Sequence, residues 1–202
     1  MAARLVALLP AKRLAFAKSR LAGRLSEAER ASLSLEMLRA VAKRLAACPD
    51  IAAWAVVSAD EQALLIAAAL GGEQVLEPHS GLNVALDLGR HWALDMGAES
   101  LLVVPSDVPL ISEGDVAGLV QRSEQAEVVI APSNDGGTNA LLLRPPAAIP
   151  FRFGRRSAAH HRFEAERAGL GVSFVHSPTL SFDVDTPADY AAYMERLELA
   201  GA

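Results

Sequence analysis

Short apolar runs, each separated from the next by a stretch with helical spacing, constrain this chain more than any other feature. The runs are Leu5–Leu9, Ala53–Ser58, Leu101–Val104, Val128–Ala131 and Ala140–Leu143. An apolar run this short, without polar alternation, reads as a strand buried on both faces, as in a helix-covered parallel sheet. The intervening stretches carry their own start and stop signals. Ser26-Glu-Ala-Glu29 is a capping box, followed by Leu33, Met37, Val41 and Leu45 at helical spacing. Glu61–Leu70 is a helix stopped by Gly71-Gly72, and Gln74–Leu76 a short strand. Leu82–Met96 and Ser112–Arg122 are further helices, the second opened by Ser112 with Asp115 three residues on. Val172–Val175 and Leu180–Phe182 read as strands, and a helix from Pro187 ends the chain. A hydrophobic fraction of 51% with only 5% aromatics suits this α/β organisation. Residues 1–202 are expected to form one doubly wound domain.

Composition excludes several classes of function. No apolar run approaches the ~20 residues that cross a bilayer, and Leu5–Leu9 is too short for a signal-peptide core. The single cysteine, Cys48, allows no internal disulfide, fits the cytosol, and reads as a small apolar filler near a helix end. Net charge is −5 but unevenly spread: residues 1–44 carry +7 and the remainder −12. A negative total without an aromatic-basic surface argues against nucleic acid, whereas the local basic cluster suits a small polyphosphate.

Three aspartates stand in two apolar settings. Asp107 follows the Leu101–Val104 run, where open α/β sheets bind ligands. Asp183-Val184-Asp185 alternates, placing both carboxylates on one face of an extended segment and Val184 on the other. If the two segments meet, the charges repel unless a cation lies between them. Hard oxygen donors suit Mg²⁺, which keeps waters and takes further ligands from phosphates. A structural reading competes: Asp107 as a turn cap, and Asp185 as part of the helix start Thr186-Pro187-Ala188-Asp189. Together the two segments point to a metal and a nucleotide.

Other segments offer anion contacts. Lys12, Lys18 and Arg20 lie just after the first strand without any glycine-rich phosphate motif, so side chains would carry the countercharge, with Arg13 left to solvent. Asp135-Gly-Gly137 is a hairpin turn that brings Thr138 and Asn139 forward. In Phe151–Ser157, Gly154 permits close backbone approach and Ser157 is placed to cap the next helix, with Arg152, Arg155 and Arg156 adding charge. His160 and His161 adjoin that segment, without the further His or Cys that a zinc site needs. Asn83, in Gly81-Leu-Asn83, either reads a base edge or caps a helix.

With these segments in order, the chain resembles the 2-phospholactate/phosphoenolpyruvate guanylyltransferase family of coenzyme F420 biosynthesis. The motifs are Pro10-Ala-Lys12 with Ala17-Lys18-Ser-Arg20-Leu21, Gly81-Leu-Asn83, Asp107-Val-Pro109, Asp135-Gly-Gly-Thr-Asn-Ala140, Phe153-Gly154 with Ser157 and His160, and Asp183-Val-Asp185-Thr-Pro187. Ser106 stands where members of that family often have Ala or Gly before the aspartate. The resemblance implies a nucleotide-diphospho-sugar-transferase-like, Rossmann-like three-layer fold with a mixed, mostly parallel sheet. It implies transfer of GMP from GTP to a three-carbon phospho-acid, releasing diphosphate. Phosphoenolpyruvate is the first candidate acid, with 2-phospho-L-lactate and 3-phospho-D-glycerate beside it. It further implies Asp107, Asp183 and Asp185 as Mg²⁺ ligands and catalytic residues, and Thr138, Gly154 and Ser157 on the phospho-acid. Lys12, Lys18, Arg20 and Asn83 are left for the nucleotide. Such an enzyme is expected in the cytoplasm, without nucleic-acid or membrane partners, and a homodimer is compatible with it. The rival readings are a nucleotidyltransferase for a sugar phosphate or molybdopterin, and a non-catalytic GTP- or metabolite-sensing domain.

Overall fold

A computed structural model describes residues 4–78 and 81–201. The strands are β1 (Leu5–Pro10), β2 (Ile51–Ser58), β3 (Glu73–Leu76), β4 (Ser100–Val103), β5 (Val128–Pro132), β6 (Thr138–Leu143) and β7 (Val172–Phe174). The helices are α1 (Glu27–Ala47), α2 (Glu61–Ala69), α3 (Leu82–Asp95), α4 (Glu113–Ser123), α5 (Ser157–Arg167) and α6 (Pro187–Gly201). All seven strands form one sheet in the order β3-β2-β1-β4-β6-β5-β7. Pairing is parallel except at β6, which runs antiparallel to both β4 and β5. The mixed, mostly parallel sheet is the expected one.

Strand alternation divides the core into two layers. Ala7, Leu9, Val56, Leu102, Val129 and Leu142 face α1, α2 and α4. Val6, Leu8, Val57, Leu101, Ile130 and Leu141 face α3 and α5. Every residue of β1, β4 and β6 is buried, so apolar residues occupy both faces, as their continuous runs require. The capping boxes at Ser26/Glu29 and Ser112/Asp115 both form. Cys48 is buried at the C-cap of α1, a packing position.

One expected strand is absent: Leu180–Phe182 joins no sheet. Its backbone is claimed by other partners, with Asn139 Nδ2 donating to Leu180 O and Asn134 N–H donating to Ser181 O. The next residues are held likewise, Val184 N–H donating to Asp107 O. The segment starts from a turn, with Ser181 N–H donating to Ser177 O, and is stitched to the β5–β6 region and the loop after β4 rather than to a strand. Phe182 and Val184 pack with Leu21, Leu33, Met37 and Tyr193 in a third apolar cluster. That cluster seats the aspartate segment on α1 and α6.

Two features of the topology place the functional residues. Strand order reverses at β1, with β2 and β3 laid down on one side and β4 on the other, all four parallel, which opens a crevice at the carboxyl ends of β1 and β4. Because β6 alone is reversed, its first residues, Thr138 and Asn139, lie at the same edge as the carboxyl ends of its neighbours.

Close packing of α3 on this sheet depends on Gly89, where an added Cβ would lie 2.8 Å from a Leu8 methyl and 2.9 Å from a Val57 methyl. Both contacts belong to fully packed side chains. Overpacking costs about 1–3 kcal/mol, partly offset by the roughly 1 kcal/mol gained in helix propensity. Gly89→Ala should therefore lower stability by about 1 kcal/mol in denaturant unfolding, and an unchanged or raised midpoint would show that α3 can shift away from the sheet.

Candidate active site

At this edge of the sheet a cleft of about 1170 Å³, somewhat above the usual range for a single small-molecule site, is lined by the ends of β2 and β3, the start of α3 and five further segments. They are the loop after β1, the turn after β4 carrying Asp107, the start of β6, the Phe153–Ser157 loop, and the Asp183–Asp185 segment.

The loop after β1 folds into two single 3₁₀ turns, Leu14–Phe16 and Ser19–Leu21. It is tied to β2 and α2 by Ser58 Oγ donating to Ala11 O and Leu14 N–H donating to Asp60 Oδ2. Between the turns, Lys18 takes a left-handed conformation, φ 49° and ψ 41°. That geometry costs a non-glycine residue roughly 1–2 kcal/mol, and it drives the Lys18 side chain inward. Its ammonium donates to Asp107 Oδ2 at 2.7 Å and to Asp185 Oδ1 at 2.9 Å. Burial works against the Lys18 charge, but Asp107 and Asp185 outweigh it and raise its pKa. Asp185 responds in the opposite direction: burial would raise its pKa, yet Lys18 and Arg20 lower it. Lys18 is thus a permanently charged bridge between two carboxylates.

Asp183 lacks that support. Burial pushes its pKa up to about 6 despite a hydrogen bond from Asn139, and Asp107, Asp185 and Asp135 add to the rise. The alternation across Asp183-Val184-Asp185 is as expected, with Val184 wholly buried and both aspartates lining the cleft. The three aspartates share one end of the cleft with Lys18 inserted among them. Among the described residues, no three acidic, His or Cys side chains stand close enough to form a finished metal cage.

A polarised hydrogen-bond chain lies beside the aspartates, at the start of β6. Arg152 N–H donates to His161 Nε2 at 3.0 Å, so the neutral ring carries its proton on Nδ1. That nitrogen lies 3.1 Å from Thr138 Oγ1 and donates to it. Ser157 Oγ donates to the same Thr138 oxygen at 2.9 Å. With both lone pairs taken, the Thr138 hydroxyl must direct its own proton elsewhere, and Thr138 lines the cleft. Burial, with His160 and Arg152 adding to it, presses the His161 pKa down to about 4, so the ring stays neutral at pH 7. His161 is the residue that sequence reasoning left without a role, because its partners Thr138 and Arg152 become visible only in three dimensions.

Several expected placements need correction. Ser157 is the first residue of α5, not its cap; the N-cap is Arg156, φ 53°, with no side-chain cap bond. The first N–H groups of α5 are spent on Gly154 O and Gly136 O, which locks the two loops together and leaves no open helix terminus for an anion. Gly154 does line the cleft with φ +136° and open space where a Cβ would stand, so the backbone itself is accessible. Arg152 is held by Glu164 at 2.7 Å, whereas Arg155 lines the cleft. Asn83 neither caps α3 nor offers an edge to a base. Its amide donates to Phe153 O and accepts from Phe153 N–H, fixing α3 to the Gly154 loop. Lys12 and Arg20 line the cleft as expected, and so does Arg13, which was expected in solvent. His160 is exposed on the outer face of α5. Glu77, just past β3, is a buried acid in the cleft wall that the sequence reading overlooked. Its signal resembled the one that found Asp107: an acid shortly past the carboxyl end of a parallel strand, one residue for Glu77 and four for Asp107.

Against this geometry, a sequence profile described as "Guanylyl transferase CofC like" matches residues 5–196. The phosphoenolpyruvate guanylyltransferase of Sphaerobacter thermophilus is 42% identical over 185 residues, covering 91% of this chain and 89% of that one. The 2-phospho-L-lactate guanylyltransferase of Methanothermobacter thermautotrophicus is also 42% identical, covering 91% of this chain and 81% of that one. Among solved structures, a Desulfovibrio desulfuricans protein assigned as a nucleotide-diphospho-sugar transferase superimposes with a TM-score of 0.76 at 18% identity. It covers 94% of this chain and 85% of that one, a likeness of fold. No helix among the described residues is long and apolar enough to cross a membrane.

The buried neutral His161 makes a pH prediction. Its folded pKa, about 4, lies below the ordinary 6.5. The unfolded chain therefore takes up the proton first, and stability falls as pH drops from 6.5 towards 4. The loss approaches about 3 kcal/mol at the lower limit. His161→Gln cannot titrate, so the stability difference between wild type and this variant should shrink by that order between pH 7 and pH 4. A difference independent of pH in denaturant unfolding would place His161 in contact with water.

Proposed function

The chain belongs to the CofC-like guanylyl transferase family, and from that membership we propose that it transfers GMP from GTP to the phosphate of a three-carbon phospho-acid within coenzyme F420 biosynthesis. Phosphoenolpyruvate is the preferred acid in this reading. The observation that carries it is the pairing, in one cleft, of the Lys18, Asp107, Asp183 and Asp185 cluster with the neighbouring outward-donating Thr138 hydroxyl.

The reaction forms a bond from a phosphate oxygen of the acid to the α-phosphorus of GTP. The bond from that phosphorus to the diphosphate breaks, and diphosphate leaves with the electron pair. The second pKa of a phosphate monoester is near ~6, so the attacking oxygen is already anionic at neutral pH and no general base is required. The barrier lies in bringing one polyanion to another. Lys12, Arg13 and Arg20 give the triphosphate a cationic wall along the β1 loop. Thr138, oriented by His161 and Ser157, donates to the acid, and Arg155 supplies charge beside it. Gly154 lets the acid approach main-chain groups without a side chain in the way.

The residues fit Mg²⁺. Asp107, Asp183 and Asp185 are three hard oxygen donors on one side of a cleft, and Asp183 lacks a cationic partner among the described residues. Mg²⁺ does not need a complete protein cage, because it retains waters and takes phosphate oxygens. When bound, it supplies countercharge and polarises phosphate oxygens. Lys18 provides fixed positive charge at the same end of the cleft, and its protonation makes it a poor nucleophile.

Incubation with GTP, Mg²⁺ and the three candidate acids in competition, followed by mass spectrometry, should yield a guanylylated acid and equimolar diphosphate, with phosphoenolpyruvate consumed first. In the same assay Thr138→Val, which keeps the volume but removes the donor, should raise KM for the acid tenfold or more and change KM for GTP far less. Release of diphosphate without any acid adduct, or a Thr138→Val effect confined to GTP, would contradict the proposal.

A further inference from the structure

One buried acid of the cleft has no part in the reaction described above. Glu77 directly follows β3, and its N–H donates to Ser58 O, so its backbone is fixed by the β2–β3 ladder. The residue is 8% exposed and lines the cleft. Its Oε1 is sealed from water with no hydrogen-bond donor among the described residues. A buried acceptor without a donor is costly, and cores ordinarily avoid it. Such an atom beside a ligand cleft is accounted for if its donors arrive with the ligand.

Its position along the sheet indicates which part of the ligand. From β3 to β4 is three strand spacings, about 14 Å. The β1 loop with Lys12 and Arg20 lies between, and Asp107 lies at the far end. A nucleoside triphosphate laid along this edge with its phosphates on the β1 loop puts its base at the carboxyl ends of β2 and β3. The cleft there is lined by Ala59, Ala63, Pro78, Leu82 and Ala85, small or apolar residues that suit a flat ring. Among the described residues lining that portion, Glu77 is the only acid.

Guanine presents two adjacent donors, N1–H and the N2 amino group, on its Watson–Crick edge. A carboxylate accepts both, one at each oxygen, once rotation about the soft terminal Glu torsion turns the sealed Oε1 toward the cleft. Adenine presents a lone pair at N1 and no donor at C2, so the same carboxylate repels it. Hypoxanthine keeps N1–H and loses the amine. We propose that Glu77 is the residue that selects guanine, accepting N1–H and N2–H from the base of GTP in the pocket at the ends of β2 and β3. The proposal rests on GTP being the donor nucleotide and is independent of which acid receives the guanylyl group.

The test is equilibrium binding in the absence of any acid, by calorimetry on the full chain with Mg²⁺ and a GTP analogue bridged by methylene between the α- and β-phosphates. The corresponding inosine and xanthosine analogues are the comparators. Wild type should bind the guanosine form at least tenfold more tightly than the inosine form, because one hydrogen bond to a charged group is lost. Glu77→Gln should weaken the guanosine form at least tenfold and gain the xanthosine form, since the amide oxygen accepts N1–H while its NH₂ donates to the xanthine O2. An inverted order of guanosine and xanthosine forms supports the assignment. Should Glu77→Gln fail to fold, Glu77→Asp serves, and shortening by one methylene should reduce the guanosine-over-inosine ratio. An unchanged ratio in either variant overturns the proposal. Binding without acid separates this outcome from failure of the transfer reaction, which would show as intact guanosine preference with no adduct formed.

Discussion

The Lys18 ammonium between Asp107 and Asp185 is the interaction on which the remaining architecture of the site depends. Three carboxylates cannot be gathered at one edge of a sheet without positive charge, and here the chain supplies part of it from the loop after its first strand. That arrangement explains a left-handed lysine, whose conformational cost is met by two charge-assisted hydrogen bonds of roughly 1.5–3 kcal/mol each. It also joins three distant parts of the sequence: the β1 loop, the turn after β4, and the segment before α6. The apolar cluster of Leu21, Phe182 and Val184 lies directly beneath, so the polar and apolar sides of the same segments support each other.

The same bridge gives Lys18 an electrostatic role. A lysine becomes a nucleophile when burial or neighbouring cations lower its pKa. Lys18 is buried, yet its two carboxylates reverse the direction and hold the proton in place. The Thr138 side of the cleft follows a complementary principle. A buried, neutral His161 fixes the direction of a hydroxyl proton two bonds into the network, and a single reversed strand delivers Thr138 to the edge where all the other functional groups lie.

Much of the fold was legible in the sequence because local and tertiary requirements agree. Continuous apolar runs became buried strands, the capping boxes at Ser26 and Ser112 formed, and the alternation at Asp183-Val184-Asp185 separated core from cleft. Two of the failures share one cause, which is competition for backbone or side-chain groups by partners remote in sequence. Leu180–Phe182 has the composition of a strand, but Asn139 and Asn134 take its carbonyls. Asn83 has the position of a cap or base reader, but the backbone of Phe153, seventy residues away, engages both its amide nitrogen and its amide oxygen. The Lys18 bridge could not be read from a basic loop alone, since nothing local distinguishes it from Lys12. Glu77 carried a positional signal like that of Asp107 and lacked only the neighbouring motif that drew attention to the latter.

The most direct test of this account is the stereochemical course of transfer. If Lys18 serves as fixed charge and the phospho-acid attacks GTP directly, a single in-line displacement occurs at the α-phosphorus. With one diastereomer of GTP carrying sulfur on that phosphorus, ³¹P NMR of the guanylylated product should show complete inversion of configuration. Retention would mean two successive displacements through a guanylyl group carried on the protein, and would contradict the role assigned here to the Lys18–Asp107–Asp185 bridge.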